Sequence, residues 1–308
     1  MQGIALLRAM LLIRAFEAAL MRRRDHGFQL LSEGQEAVAV GLCSVLGAQD
    51  QLLTSGRSIA PALARGLEPG LVMAELLGKA AGPCRGKGGR GHLAQRSAGF
   101  FGAHAVVAGN ISIAAGVALA QQQQEPGTIV ACLFGDGACG AGALHETLNI
   151  AALWRLPLLF VCDNNGYSVS TPRTEALAPE SLSDLAAPFG IPAREVDGMD
   201  VVAVRNAAQE LAERTRSGSG PSFLECRSER FASHSTAVRE TRSAEEMRSL
   251  RKRCPIAGLA ARLEAEGILA ASERKRLEQE VERSVEEAIR FAEDAPYPDP
   301  SEAVSDVI

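Results

Sequence analysis

The spacing of apolar residues divides the chain into three stretches. Up to about residue 80 they recur at helical intervals, which predicts helices over 3 to 24, over 35 to 46 after the turn Ser32-Glu33-Gly34, and two short ones within 59 to 79. Between 128 and 227 short apolar runs alternate with helical ones. Strands are predicted at 128 to 134, 157 to 163, 191 to 196 and 221 to 227, and helices at 141 to 153, near 181 to 188 and at 199 to 216. From 243 to 293 the pattern is helical again, with long charged stretches. Two segments break the periodicity: residues 82 to 91, Gly-Pro-Cys-Arg-Gly-Lys-Gly-Gly-Arg-Gly, must form a loop, and 228 to 242 is polar and irregular. Small residues dominate Ala108 to Ala120, which suits a helix packed closely beneath a sheet.

Strands alternating with helices argue for an α/β fold, a mostly parallel sheet with helices on both faces and helical segments at either end. No repeat and no Pro-, Gly- or Ser-rich linker divides the sequence. A single domain is therefore expected, with an N-terminal helical segment 1 to 80, a core 100 to 227, a mobile loop 228 to 242 and C-terminal helices 243 to 293.

Composition narrows the functional classes. A net charge of −5 gives no electrostatic case for nucleic acid, and the Arg22-Arg23-Arg24 run reads as a solvated helix end. Seven cysteines include no Cys-x-x-Cys pair, and Cys132 and Cys162 fall inside predicted strands, so a reducing, cytoplasmic setting is expected. The apolar start, Met1 to Met21, is interrupted by Arg8, Arg14 and Glu17 and is followed by its basic cluster. It reads as an amphipathic helix rather than a signal peptide. No run is long and uncharged enough to span a bilayer, so no membrane partner is expected.

Two turns carry the candidate chemistry. Gly135-Asp136-Gly137 closes the apolar run Thr128 to Phe134, and Asn164-Asn165-Gly166 closes the run Pro157 to Asp163. Asp136 and Asn165 are 29 positions apart, and a strand, helix and strand unit takes roughly that many residues. A right-handed crossover would set both turns side by side at the carboxyl ends of parallel strands, where open α/β sheets bind ligands. Glycine at 135 and 137 would let main-chain N–H groups approach phosphate oxygens and let the turn take positive φ. Asp136 offers a hard anionic ligand, Asn165 an amide oxygen, and the carbonyl near Tyr167 a third; magnesium completes such a set with substrate phosphates. His145-Glu146-x-x-Asn149 lacks the second histidine of a zinc-protease helix, and the loop at 82 to 91 lacks the spacing of a Walker loop. Its cations Arg85, Lys87 and Arg90 suit an interface or a site entrance, and His92 and His104 stay ambiguous.

From Gly135-Asp136-Gly137-Ala138 through His145-Glu146-x-x-Asn149, Leu156-Pro157, Phe160-Val161-Cys162 and Asn164-Asn165-x-Tyr167, the sequence resembles the thiamine diphosphate motif of a known family. That family is the alpha subunits of the decarboxylating component of 2-oxoacid dehydrogenase complexes, of the pyruvate, acetoin and branched-chain type. The resemblance covers nearly the whole chain, with Gly34-Gln35-Glu36-Ala37, Gly86-Lys87-Gly88-Gly89, Val196-Asp197-Gly198-Met199-Asp200 and Ser233-His234-Ser235 also matching. It implies a thiamine diphosphate-binding fold with thiamine diphosphate and Mg2+ as cofactors. Asp136, Asn165 and the Tyr167 carbonyl would hold magnesium, Arg57, Gly135, Gly137 and Ala138 would meet the diphosphate, and Ala105 and Val107 would line the rest of the cofactor. His234 would act in a mobile loop, at the diphosphate or in positioning the acyl group. The family also implies a beta subunit in an α2β2 heterotetramer, which supplies the glutamate that protonates the aminopyrimidine, and an acyl carrier, either a lipoyl domain or a carrier protein.

The chain departs from its relatives around the reactive end. Family members usually carry histidines where it has Leu30, Ile59 and Ala232, a tyrosine at Gly56 and a glycine at Ala105. Apolar groups there remove means of binding a carboxylate or moving protons. Two alternatives therefore stand beside 2-oxoacid decarboxylation: transketolase-like cleavage of a ketose with transfer to a carrier-protein thiol, and a non-catalytic cofactor-binding or assembly subunit.

Overall fold

The computed structural model describes residues 2–22 and 27–305; Arg23 and Arg24 of the basic run lie outside them. The chain opens with α1 (Gln2–Met21) and α2 (Glu36–Cys43), followed by strand β1 (Gln51–Ser55), α3 (Ile59–Ala64), α4 (Pro69–Leu76) and β2 (Phe100–His104). Helix α5 (Gly109–Gln124), β3 (Val130–Gly135), α6 (Gly142–Leu153) and β4 (Leu158–Asn164) form the central crossover. A small antiparallel hairpin, β5 (Tyr167–Ser168) and β6 (Thr171–Pro172), leads through α7 (Arg173–Ala176) to β7 (Ala193–Asp197), α8 (Val201–Arg214) and β8 (Ser222–Arg227). Helices α9 (Ala244–Arg251), α10 (Pro255–Ala265) and α11 (Ala271–Asp294) follow.

The main sheet is parallel, in the order β2-β1-β3-β4-β8-β7. Its central strands β3 and β4 read as nearly unbroken apolar runs because both faces are covered there. On one face Ala131, Leu133, Leu159, Val161 and Leu224 pack with α1, α2 and α8; on the other Val130, Cys132, Phe134, Phe160 and Phe223 pack with α5 and α6. Local signals set the helix starts. Asp200 caps α8 by accepting the Val202 and Ala203 N–H groups at 2.8 and 3.2 Å, Ser243 caps α9 through the Glu246 N–H, and Pro255 opens α10 where no N–H is needed.

Three expectations change. Strands β1 and β2 were not predicted; each is five residues long, β1 has polar ends, and β2 contains Gly102. The helix near 181 to 188 is a 3-10 segment over Leu182–Phe189, ended by Gly190 with φ +66°. The helical stretch 243 to 293 is three helices, interrupted before Pro255 and around Gly267.

Candidate active site

Strand register brings the two predicted turns together. Gly135 of β3 lies opposite Asp163 of β4, so the next residues of each strand, Asp136 and Asn164-Asn165, leave the sheet side by side at its carboxyl edge. Asp136 opens a 3-10 turn over Asp136–Gly140 and is buried, and its Oδ2 has no hydrogen-bond partner. Asn164 turns back into the sheet, donating to Glu225 Oε1 at 2.7 Å, whereas Asn165 Oδ1 accepts the Tyr167 N–H at 3.2 Å. The hairpin of Tyr167 and Ser168 then lies against the first turn: a Cβ at Gly137 would come within 2.5 Å of Ser168 Oγ. A side chain at 137 would therefore make Ser168 shift. The positive φ expected at Gly135 and Gly137 is absent; Gly135 is extended, at φ −84° and ψ 163°, and the left-handed residue is Gly166, at φ +80°.

These turns floor a cavity of about 140 Å3. Arg57, Val107, Gly135, Asp136, Gly137, Ala138, Asn165, Tyr167 and His234 all line it, as does Leu30. Ala105 does not; it is exposed and sits beside Gly91 of the 82 to 91 loop. Of the other departures, Gly56 lines the cavity, while Ile59 is buried in the hydrophobic core and Ala232 is not in the wall. Gln35, Ser168, Asp163 and Arg230 also line it, although sequence reasoning gave them no role. Gln35 and Asp163 lay within or beside quoted motifs and could have been found there. Arg230, four residues before His234 in an irregular stretch, carried no local signal.

Burial and like charge set the electrostatics. Asp136 and Asp163 are each pushed up to about 6, both chiefly by burial, and Asp136 further by the Asp163 charge. Asp163 is held in place by Gln35 Nε2 at 2.7 Å and by the Ser228 hydroxyl. Burial also pulls Arg57 below its ordinary range, against the charges of Asp163, Glu17 and Asp136, though a guanidinium stays charged all the same. Arg57 Nη1 donates to the Leu31 carbonyl at 2.6 Å, and the adjacent Ser32 N–H donates to both oxygens of buried Glu17, at 2.9 and 2.8 Å. Burial, Arg57 and Arg230 together hold His234 down to about 4, so it is a neutral imidazole near pH 7.

Segment 29 to 36 ties the 228 to 242 segment to this floor. The Gln29 N–H donates to Thr236 Oγ1 at 2.8 Å, the Thr236 N–H to the Gln29 carbonyl at 3.0 Å, and the Phe231 N–H to the Glu33 carbonyl at 2.8 Å. Farther out, the glycine-rich loop is pinned by the buried Glu75 carboxylate, which accepts the N–H groups of Cys84, Gly86, Gly88 and Gly89 at 2.8 to 3.0 Å. Of that loop's cations, Arg85 and Lys87 pair with Glu302, and Arg90 lies 4.8 Å over the Phe28 ring. His92 and His104 meet edge to face at 5.7 Å.

The donor set fits a hard cation bridged to phosphate. Among the described residues no group of three His, Cys, Asp or Glu side chains could hold a metal alone. Asp136 instead offers one unsatisfied buried carboxylate oxygen beside an amide, next to glycine backbone and two guanidiniums. A parallel α/β sheet with this arrangement at its carboxyl edge suits a phosphate-bearing ligand. Residues 4–301 match the model of the family described as dehydrogenase E1 component, and the chain belongs to that family. It is 40% identical over 283 residues to the alpha subunit of acetoin:2,6-dichlorophenolindophenol oxidoreductase from Bacillus subtilis, covering 91% of this chain and 84% of that one. It is also 38% identical over 307 residues to the pyruvate dehydrogenase E1 component subunit alpha of Rhizobium meliloti, covering 98% and 88% respectively. Among the described residues no helix is long and apolar enough to cross a membrane.

Proposed function

We propose that this chain is the alpha subunit of a thiamine diphosphate-dependent 2-oxoacid dehydrogenase, and that it holds the magnesium diphosphate end of the cofactor. The observation that carries the reading is the buried, unpartnered Asp136 oxygen beside Asn165 and Arg57 at one cavity, in a chain of this family. Asp136, Asn165 and the Tyr167 carbonyl would ligate Mg2+, and Gly135, Gly137, Ala138 and Arg57 would receive the diphosphate. When bound, thiamine diphosphate supplies the carbon that adds to a ketone carbonyl and the electron sink for carbon–carbon cleavage. His234, a neutral imidazole at working pH, would meet the diphosphate or position the acyl group, and Ala105 and Val107 would border the rest of the cofactor.

We take the chain as one folding unit, since both hydrophobic clusters share one sheet, with 228 to 242 as its mobile part. The cavity is smaller than the roughly 300–1,000 Å3 of a self-contained small-molecule site. Its surroundings include exposed apolar side chains, with Val106 62% and Val107 64% exposed. Both features support a site completed by a beta subunit in an α2β2 assembly, which passes its acyl group to a lipoyl or other carrier thiol. The seven cysteines are all free thiols, in keeping with a cytoplasmic setting.

The test is reconstitution with the beta chain, thiamine diphosphate and Mg2+, followed by a panel of pyruvate, acetoin, branched 2-oxoacids and ketose phosphates. Turnover of pyruvate by the pair, and none by this chain alone, is the expected outcome. Turnover of ketose phosphates only would replace the donor, and enzyme-like rates without the beta chain would remove the shared site.

A further inference from the structure

Glu225 is a carboxylate set inside an apolar layer. It lies on β8 between Leu224 and Cys226, is fully buried, and stands opposite Cys162 of β4. Burying a charge is costly unless hydrogen bonds compensate it, and here both oxygens are taken. Oε1 accepts Asn164 Nδ2 at 2.7 Å, while Oε2 accepts the Ser183 N–H at 2.8 Å and lies 3.0 Å from the Ser181 hydroxyl. Arg227 Nε is 3.8 Å from Oε1. Asn164 and Ser181 bound the excursion that leaves β4, forms the β5–β6 hairpin and α7, and leads back toward the sheet. One carboxylate therefore clasps both ends of the segment that brings Asn165, Tyr167, Ser168 and Val169 to the cavity.

Neither Glu225 nor Asn164 is in the cavity wall, so their effect on it is relayed. An ionised carboxylate only accepts hydrogen bonds, which fixes the Asn164 amide with its nitrogen toward β8 and its oxygen toward the turn. That oxygen accepts the Gly166 N–H at 3.1 Å, and the Gly166 carbonyl accepts the Arg173 N–H at 2.8 Å. Gly166 is the left-handed residue of the turn, at φ +80°, and it separates Asn165 from Tyr167. The two adjacent asparagines thus divide the work: Asn164 shapes the turn from behind, and Asn165 lines the cavity.

We propose that Glu225, acting through Asn164, is a positioning residue that fixes the Asn165 amide relative to the Tyr167 carbonyl and so makes the site prefer a small divalent cation. The inference rests on the reading that this cavity takes a magnesium diphosphate. It adds that cation size is selected by residues outside the cavity. Magnesium demands near-octahedral oxygens at about 2.0–2.1 Å, whereas calcium accepts longer and less regular contacts, so a rigid turn discriminates and a slack one does not.

The test uses the assembled alpha–beta complex and calorimetric titration of thiamine diphosphate over a series of fixed Mg2+ and, separately, Ca2+ concentrations. Wild type, Asn164→Ala, Glu225→Gln and Ser181→Ala are compared, with thermal unfolding of each ligand-free complex alongside. Asn164→Ala and Glu225→Gln are each expected to raise the Mg2+ concentration required roughly ten- to a hundredfold, the usual cost of removing a partner behind a metal ligand. The Ca2+ requirement should change less, so that the preference for Mg2+ narrows. Ser181→Ala, which loosens only the far end of the clasp, is expected to lower the melting temperature and keep the wild-type cation preference. Should Glu225→Gln fail to assemble, Asn164→Ala decides the matter. Unchanged Mg2+ dependence in Asn164→Ala, or a wild type without preference for Mg2+ over Ca2+, would overturn the inference and leave the proposed function standing. Parallel losses for both cations, or the same loss in Ser181→Ala, would also overturn it, since they would assign Glu225 to stability alone. Wild-type binding that is indifferent to divalent cations would remove the magnesium reading and the inference with it.

Discussion

Asp136 is placed so that its charge has a cost until a cation arrives. It is buried at the end of β3, a second carboxyl at Asp163 lies close by, and one of its oxygens is left unpaired. Both carboxyls are pushed up to about 6 from an ordinary value of 3.8. The ligand-free folded chain thus keeps two protons that the unfolded chain has released, and these groups favour the fold at low pH and lose that contribution as pH rises through about 6. Under the proposed assignment, magnesium would need the ionised form of Asp136 and would have to displace its proton. Its apparent affinity is therefore expected to be level above pH 7 and to fall about tenfold per pH unit below 6. Titration of Mg2+ affinity between pH 5 and 8 checks this, and a flat profile would take Asp136 out of the coordination sphere. His234 stays neutral across that window and contributes no step. Asp136 and Asn165 were legible in the sequence because each closes an apolar run with a glycine-containing turn. Arg230 was not, because its burial depends on segment 29 to 36 folding over a stretch that has no periodicity of its own.

Among the elements, those legible in the sequence are the ones whose burial is uniform. Strands β3 and β4 are apolar along nearly their whole length because they lie in the middle of a sheet covered on both faces, and α6 between them ends where Trp154 and Arg155 leave the helical pattern. Strands β1 and β2 escaped because what makes them strands is their neighbours. The polar ends of β1 are paired, Gln51 with Val130 of β3 and Ser55 with His104 of β2, and β2 occupies the sheet edge. The glycine-rich loop was legible as a loop, but not its anchor. Glu75 sits in an apolar helix, where a lone carboxylate looks misplaced until its four N–H partners are seen. Glu75→Ala is expected to destabilise the chain by about 2–4 kcal/mol, because several backbone donors lose a charged acceptor at once. Glu75→Gln should lose roughly half of that. Denaturant unfolding measures the change, and amide exchange should show it concentrated at Cys84 to Gly89; a uniform or negligible effect would mean that the loop is held by other contacts.

As a whole, the molecule is a covered parallel sheet with the proposed cofactor site at its carboxyl edge. Two hydrophobic layers clamp the sheet, α1 and α11 pack together on one of them, and the polar chemistry is confined to the sheet's carboxyl edge and the two segments, 29 to 36 and 228 to 242, folded over it. The cavity brings together a carboxylate, an amide, glycine backbone and guanidiniums, with Leu30, Val107 and Val169 among its apolar lining. The measurement closest to the central claim is calorimetric binding of thiamine diphosphate to the assembled alpha–beta complex, with and without Mg2+, for wild type and Asp136→Ala. Binding that requires Mg2+ in wild type and disappears in a normally folded Asp136→Ala complex is the expected result. Equal affinity in the two proteins, or binding in wild type that is indifferent to Mg2+, would contradict it.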